Sequence, residues 1–229
     1  MSTETPSPPP VRVVLCWHMH QPSYLNPSTN DYQLPWTYLH VIKDYVDMVA
    51  HLEAAPKASA VVNFSPTLIE QIDDYAAQVA GFLDTGQPLR DPLLRALAEP
   101  ALPGGVIERH QLVRQCLRLN HQRLLEAFPA VSHLIELGRW AEEHASGIAY
   151  LNDPFLVDLI TWYHLAWTGE TVRRSDERIR RLIAKGSGFT VADRRLLLTV
   201  IGELLEGVLG RYRRLAEAGR IELAMTPYA

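Results

Sequence analysis

Apolar and polar positions follow two different periods along the chain, and each change of period marks an element. Val11, Val13 and the residues up to Cys16 form a β-branched run without alternation, which predicts a strand buried on both faces. Pro22 ends that strand, because proline cannot donate a ladder hydrogen bond. Apolar positions then recur at helical spacing over 37–54, which predicts an amphipathic helix.

The same strand-and-helix order then repeats. The segment Lys57 to Pro66 has the apolar centre of a second strand, and helical spacing resumes at Leu68. Gly86 and Pro88 close this second helix. A β-α-β-α order predicts parallel strands joined by helical crossovers.

Residues 89–218 show only helical periodicity. One helix is predicted to begin at Asp153, whose side chain would cap it, with Pro154 at the first helical position. The clearest helix is predicted to begin at Thr190, whose hydroxyl stands in capping-box spacing with Asp193. These residues therefore predict a long helical segment after the second strand.

A third strand is predicted directly afterwards, within 219–229. Alternation places Glu222 on the face of Ala224 and Thr226. A buried carboxylate is costly unless it is paired or functional, so Glu222 marks either a polar barrel interior or a solvated edge. The chain stops at this strand without a covering helix, and we expect it to be a fragment, because parallel sheets are covered on both faces.

Composition narrows the class of protein. Of 229 residues, 47% are hydrophobic and 21% are charged, which is typical of a globular domain. The net charge of -4 leaves no basic excess for phosphates, so nucleic acid is not an expected partner. Residues 1–10 have no signal-peptide pattern and are predicted to be a disordered arm.

Location and cofactor follow from two further absences in the sequence. No apolar run reaches the roughly 18 residues of a transmembrane helix, so no membrane partner is expected and a cytoplasmic location is predicted. Cys16 and Cys116 form no CxxC pair, which argues against a thiolate zinc site. No metal or other cofactor is predicted.

Two histidines stand where the first strand gives way to a loop. His18 and His20 are two residues apart, so on a strand they point to one side. Sites in α/β proteins form at these carboxyl strand ends. The pair could bind a metal, hydrogen-bond a polar substrate or only pack, and the spacing leaves all three open.

Tryptophans flank the histidine pair. Trp17 and Trp36 are candidates to stack on sugar rings, because an aromatic face fits the apolar C–H face of a sugar. The predicted helical segment has further aromatics, for which core packing is the more common role. These are Trp162, Tyr163 and Trp167.

Several segments, taken in order, resemble glycoside hydrolase family 57. Trp17–Pro22 resembles the first family signature, and Leu34–Tyr45 its continuation in α-amylase-like members. Gly219–Tyr228 is similar to the opening of the second signature. Val62–Pro66 and Leu182–Thr190 also fit, so the resemblance covers nearly all of 11–229.

The resemblance implies the N-terminal part of an irregular (β/α)7 barrel with a large helical insertion between strands 2 and 3. Residues 11–88 would be the first two β/α units, 89–218 the insertion, and 219–229 a truncated third strand. The implied activity is that of a retaining glycoside hydrolase or 4-α-glucanotransferase on α-1,4 and α-1,6 glucans. An α-glucan or maltooligosaccharide is the implied substrate, and the oligomeric state stays open.

The resemblance also implies roles for individual residues. His18 and His20 match site-lining histidines, and Glu222 matches a supporting glutamate at the pocket floor. The other residues expected to bind substrate are Gln21, Trp36 and Tyr228. The family's glutamate nucleophile and aspartic acid belong to later signatures, so no catalytic residue is assigned here and the fragment is expected to be inactive alone.

Two alternatives remain at this stage. A metal-dependent amidohydrolase or deacetylase also uses HxH at a first strand, with metal-bound water as the nucleophile. It needs further ligands at later strand ends, whereas Asp73 and Asp74 lie in a predicted helix. The other alternative is a non-catalytic module that binds glucan or a partner.

Overall fold

Three short parallel strands form a sheet within the described part of the chain. The computed structural model describes residues 13–118, 128 and 131–228, so the predicted arm at 1–10 and the predicted strand start at Val11 lie outside them. The strands are β1 (Cys16–Met19), β2 (Ala60–Phe64) and β3 (Ile221–Met225), in the order β1-β2-β3 with both pairs parallel. The chain is therefore α/β, as the periodicity predicts.

Helices occupy most of the remaining described chain. Between β1 and β2 run α1 (Trp36–His40), a π-helical turn (Val41–Tyr45) and α2 (Val46–Ala54), and β2 is followed by α3 (Pro66–Thr85). The helices described between α3 and β3 are α4 (Pro92–Ala98), α5 (Val106–Cys116), α6 (Ser132–Glu143), a 3-10 segment (Ala145–Tyr150), α7 (Asp153–Trp167), α8 (Glu170–Ser175), α9 (Glu177–Lys185) and α10 (Val191–Glu217). None of these described helices is long and apolar enough to cross a membrane.

The predicted position of the first strand is wrong. The strand runs from Cys16 to Met19, and Val13 and Val14 before it are 78% and 76% exposed. The reason is the length of the partner strand. Cys16 pairs with Val61 near the start of β2, so the earlier valines have no neighbouring strand to pair with.

The register divides the sheet into an apolar face and a polar face. Val62 and Phe64 are buried on one face, together with Met19 of β1. The ring of Phe64 meets that of Tyr212 in α10 edge-on, with the centroids 5.2 Å apart. The opposite face is open, and its polar members are described with the site below.

The structure confirms both predicted helix starts, but it corrects one of the two predicted capping residues. Helix α10 begins at Thr190 with the expected capping box, in which Thr190 and Asp193 satisfy each other's backbone N–H groups. Helix α7, however, is capped by Asn152 and not by Asp153. Asn152 has an extended backbone and its side chain accepts from the Phe155 amide at 3.1 Å, whereas Asp153 is already helical.

Two buried ionisable groups stabilise the helices around α3. His164 of α7 donates through Nδ1 to the Ile160 carbonyl and accepts from Tyr38 at Nε2. Burial lowers the pKa of His164 to about 4. Asp91, which caps α4 and accepts from Tyr75, has a pKa raised by burial to about 6.

These two groups make opposite contributions to acid stability. At pH values between its folded and unfolded pKa values, His164 binds fewer protons in the folded chain than in the unfolded chain. Acidification from pH 7 to 5 therefore favours the unfolded chain and lowers the free energy of unfolding. Asp91 binds more protons when folded, so the same acidification raises stability. In the native chain the two effects partly cancel.

We therefore predict that Asp91→Asn makes the chain more sensitive to acid. Asparagine keeps an acceptor for the α4 amides and removes the titration. Between pH 7 and 5 the free energy of unfolding of the variant should fall by about 1 kcal/mol more than that of the parent chain. Urea denaturation at both pH values measures the difference, and equal losses would contradict the assignment.

Candidate functional site

The open polar face carries the candidate site. Register alignment places Cys16, His18, Val61, Asn63 and Glu222 on this face. Cys16, His18 and Glu222 are exposed, and Asn63 is half-buried. The site is therefore an open surface formed at and below the carboxyl ends of parallel strands. A cavity of about 450 Å³ between α4 and α5 includes none of these side chains.

One amide oxygen joins all three strands at this end of the sheet. Asn63 Oδ1 accepts from His18 Nδ1 at 2.6 Å and from the Thr226 hydroxyl at 2.7 Å. We call His18, Asn63 and Thr226 the strand-end trio. Because Nδ1 of His18 is the donor, Nε2 of the neutral ring is left as an acceptor. The trio thus fixes both the ring orientation and the tautomer of His18.

His20 lies directly above His18. Their rings stack with centroids 5.7 Å apart and an interplanar angle of 6°, so both histidines lie on the same side of the sheet, as alternation predicts. Both side chains are exposed. The pair presents imidazole nitrogens toward the open side of the sheet.

Gln21 is fixed by two tyrosines in the loop after β1. Its Oε1 accepts from the Tyr24 hydroxyl at 2.7 Å, and its Nε2 donates to Tyr45 Oη at 3.4 Å. Gln71 of α3 anchors the same loop by accepting from the Tyr24 amide and donating to the Pro22 carbonyl. Burial raises the pKa values of Tyr24 and Tyr45, so both phenols stay neutral donors or acceptors.

The tryptophans separate into two groups. Trp17 alternates with His18, so it lies on the opposite face of the sheet, where it is partly buried against the core. Trp162 and Tyr163 are buried, each 2% exposed, and have the core role predicted for them. Trp36 is only partly buried and contacts Trp167 at a centroid distance of 5.8 Å.

Glu222 and Tyr228 lie apart from the strand-end trio. Glu222 pairs in register with Val61, two residues below the level of Asn63 on the same face. With about 4.8 Å between strands and about 3.3 Å per residue, its Cα lies roughly 12 Å from that of His18. Tyr228 is exposed and donates to Glu70 of α3 at 2.9 Å, which raises the pKa of this phenol.

The described residues do not assemble a metal centre. No group of three or more His, Cys, Asp or Glu side chains with metal-ligand geometry occurs within 13–118, 128 and 131–228. Asp73 and Asp74 lie in α3, and Asp74 accepts from Tyr32, Gln78 and Arg90. Asp73 and Asp74 therefore lie on a helix and not at a strand end, where a metal hydrolase would need a carboxylate ligand.

The comparison with protein families bears directly on the remaining classes. Residues 14–229 match the family model described as glycosyl hydrolase family 57. The chain belongs to glycosyl hydrolase family 57. This confirms the resemblance read from the ordered segments, and family 57 membership implies glycoside hydrolase or transferase chemistry on glucans. Neither a curated protein nor a solved structure matches the chain significantly.

Sequence reasoning did not assign several residues that orient side chains of the candidate site. Asn63 and Thr226 complete the strand-end trio, and Tyr24 and Tyr45 orient Gln21. For Asn63 a signal was present, because it is a polar residue inside the otherwise apolar strand AVVNF. Tyr24 and Tyr45 had no comparable signal, because a tyrosine in the sequence can pack in a core as well as line a site.

We predict that Asn63 selects the tautomer of His18. Asn63→Leu removes the acceptor that holds hydrogen on Nδ1, so neutral His18 should change from the Nδ1–H form to the Nε2–H form that dominates in water. Nitrogen-15 NMR of the imidazole ring distinguishes the two forms. Thr226→Val is the matched control, since it removes the other donor and should leave the tautomer unchanged.

Proposed function

We propose that the open polar face is the glucan-binding wall of a retaining glycoside hydrolase or 4-α-glucanotransferase acting on α-1,4 and α-1,6 glucans. The observation that carries this proposal is the strand-end trio, which fixes an imidazole at the carboxyl end of a parallel sheet in a family 57 chain. In this reading the face lines an irregular (β/α)7 barrel, and the helices between β2 and β3 are an insertion. A cytoplasmic location goes with this proposal.

The chemistry of the face suits sugar hydroxyls. A hydroxyl both donates and accepts, and the Nε2 atom of His18 is a fixed acceptor with a free lone pair. His20 lies beside it, and Gln21 is fixed with its amide between two phenols. We assign substrate binding to these three residues, to Trp36 and Tyr228, and a supporting role to Glu222.

Bond cleavage needs a different set of groups. Retaining glycosidases use two carboxyl groups about 5–5.5 Å apart on either side of the glycosidic bond. In the three described strands the one carboxylate is Glu222, and it lies roughly 12 Å from His18 by strand geometry. We therefore assign neither nucleophile nor general acid among these residues, and propose that the 229-residue chain binds glucan without cleaving it.

Substitution of either histidine should weaken glucan binding. His18→Ala and His20→Ala each remove a hydroxyl partner, and we expect maltoheptaose to bind roughly threefold to tenfold more weakly in isothermal titration calorimetry. His133→Ala on α6 is the control, because that histidine is 87% exposed and lies on a helix away from the sheet. Equal affinities for parent, His18→Ala and His20→Ala would contradict the proposed site.

The parent chain should not turn maltoheptaose over. After incubation, chromatography of the products is expected to show neither shorter nor longer chains, and the number of reducing ends should match that of a heat-denatured sample. If the purified 229-residue chain formed shorter or longer glucans from maltoheptaose, a catalytic pair would have to lie within it.

A further inference from the structure

The cavity of about 450 Å³ between α4 and α5 has the composition of a ligand site. Its volume falls in the range of about 300–1,000 Å³ that is typical of small-molecule sites, which combine apolar walls with a few polar groups. Apolar surface comes from side chains that include Leu102 and the buried Leu112. The polar residues of the lining are Arg95, Glu99, Glu108, Gln111 and Gln115.

Two arginines fix the loop between α4 and α5, which forms one wall of this cavity. Arg194 of α10 is 1% exposed, and it donates to three carbonyl oxygens at the end of α4 at 2.8, 2.9 and 3.1 Å and to that of Pro100 at 3.3 Å. Arg109 of α5 donates through Nε to the Pro103 carbonyl at 2.8 Å. A ligand would not have to order this wall, which lowers the entropic cost of binding.

Glu99 brings a carboxylate to the cavity without a counter-ion. Arg95, one helical turn earlier, would be its usual partner. Instead, Arg95 donates to the Leu89 carbonyl at 2.8 Å and to Asp31 at 3.2 Å. Glu99 is half-buried, and within the described ranges its carboxylate has neither a hydrogen-bond partner nor an ion-pair partner. A carboxylate that is partly removed from water in this way is stabilised by a cation that can reach it.

The charges around the cavity favour a cation over an anion. Glu108 of α5 adds a second carboxylate, which pairs with none of the residues that the structure describes. Among the described lining residues Arg95 is the one cation, and Asp31 compensates its charge. The guanidinium of Arg194 lies behind the loop, where carbonyl oxygens already occupy it. The lining therefore has a surplus of negative charge.

We propose that this cavity binds a small organic cation, a protonated primary amine on an apolar body. An ammonium group has three donors and no acceptor, which suits the acceptor-only carboxylate of Glu99 and the amide oxygens of the two lining glutamines. Glu108 adds to the negative potential, and the apolar body packs against Leu102 and Leu112. The site lies outside the proposed glucan-binding wall and does not depend on glucan binding.

Three probes that share a hexyl chain and differ in the charge of the head group test this assignment. At neutral pH we expect hexylammonium to bind about tenfold more tightly than hexanol, and hexanoate not to bind. Glu99→Gln keeps the shape of the side chain and removes its charge, so the affinity for hexylammonium should fall about tenfold and that for hexanol should change less than about twofold. Titration of the nitrogen-15-labelled chain, followed by NMR, measures the affinities, and the side-chain amide signals of Gln111 and Gln115 should shift with each bound probe.

Glu136→Gln is the matched control, because the Glu136 side chain on α6 is 71% exposed and does not line the cavity. It should leave the affinities for all three probes unchanged. The cation site is overturned if hexanoate binds as tightly as hexylammonium, if Glu99→Gln weakens hexylammonium and hexanol equally or weakens neither, or if the signals of Gln111 and Gln115 do not shift. The comparison of the three probes on the parent chain needs no variant, so it covers the case in which Glu99→Gln does not fold.

Discussion

The register of β2 is the constraint on which the rest of the site depends. Val62 and Phe64 can be buried only if Asn63 points the other way, because side chains alternate across a strand. A slip by one residue would bury the amide and expose both apolar side chains. Core packing therefore orients Asn63 toward the open face, where its single oxygen receives His18 and Thr226 from the two flanking strands.

Tyr212 connects the core with the segments that hold the loop after β1. Tyr212 of α10 packs its ring against Phe64 and donates its hydroxyl to the Tyr45 carbonyl at 2.9 Å. Tyr45 lies in the π-helical turn, and its own hydroxyl accepts from Gln21. A π-helical turn shifts the register of the residues that follow, and such turns occur often at functional sites. The position of Gln21 is thus coupled to the packing of β2 on α10.

Local signals in the sequence predicted most helices and strands, whereas contacts between segments far apart in the chain could not be predicted. The capping box at Thr190 and the alternation around Glu222 depend on neighbours within a few residues, and both predictions are confirmed. The start of β1 depends on where β2 begins, so the apolar run alone misplaced it. Trp167 packs against the core as predicted, but its contact with Trp36 at 5.8 Å joins segments far apart in the chain and could not be predicted.

The polar face contains two kinds of residue, and the difference bears on how a glucan would bind. His18 and Gln21 are already oriented by hydrogen bonds within the chain, so binding costs them little conformational entropy. Among the described contacts Glu222 has no hydrogen-bond partner, and enclosing its carboxylate would cost free energy unless a ligand or a further strand supplied a donor. The contribution of Glu222 therefore depends on what covers the face, whereas that of His18 is built into the register of β2.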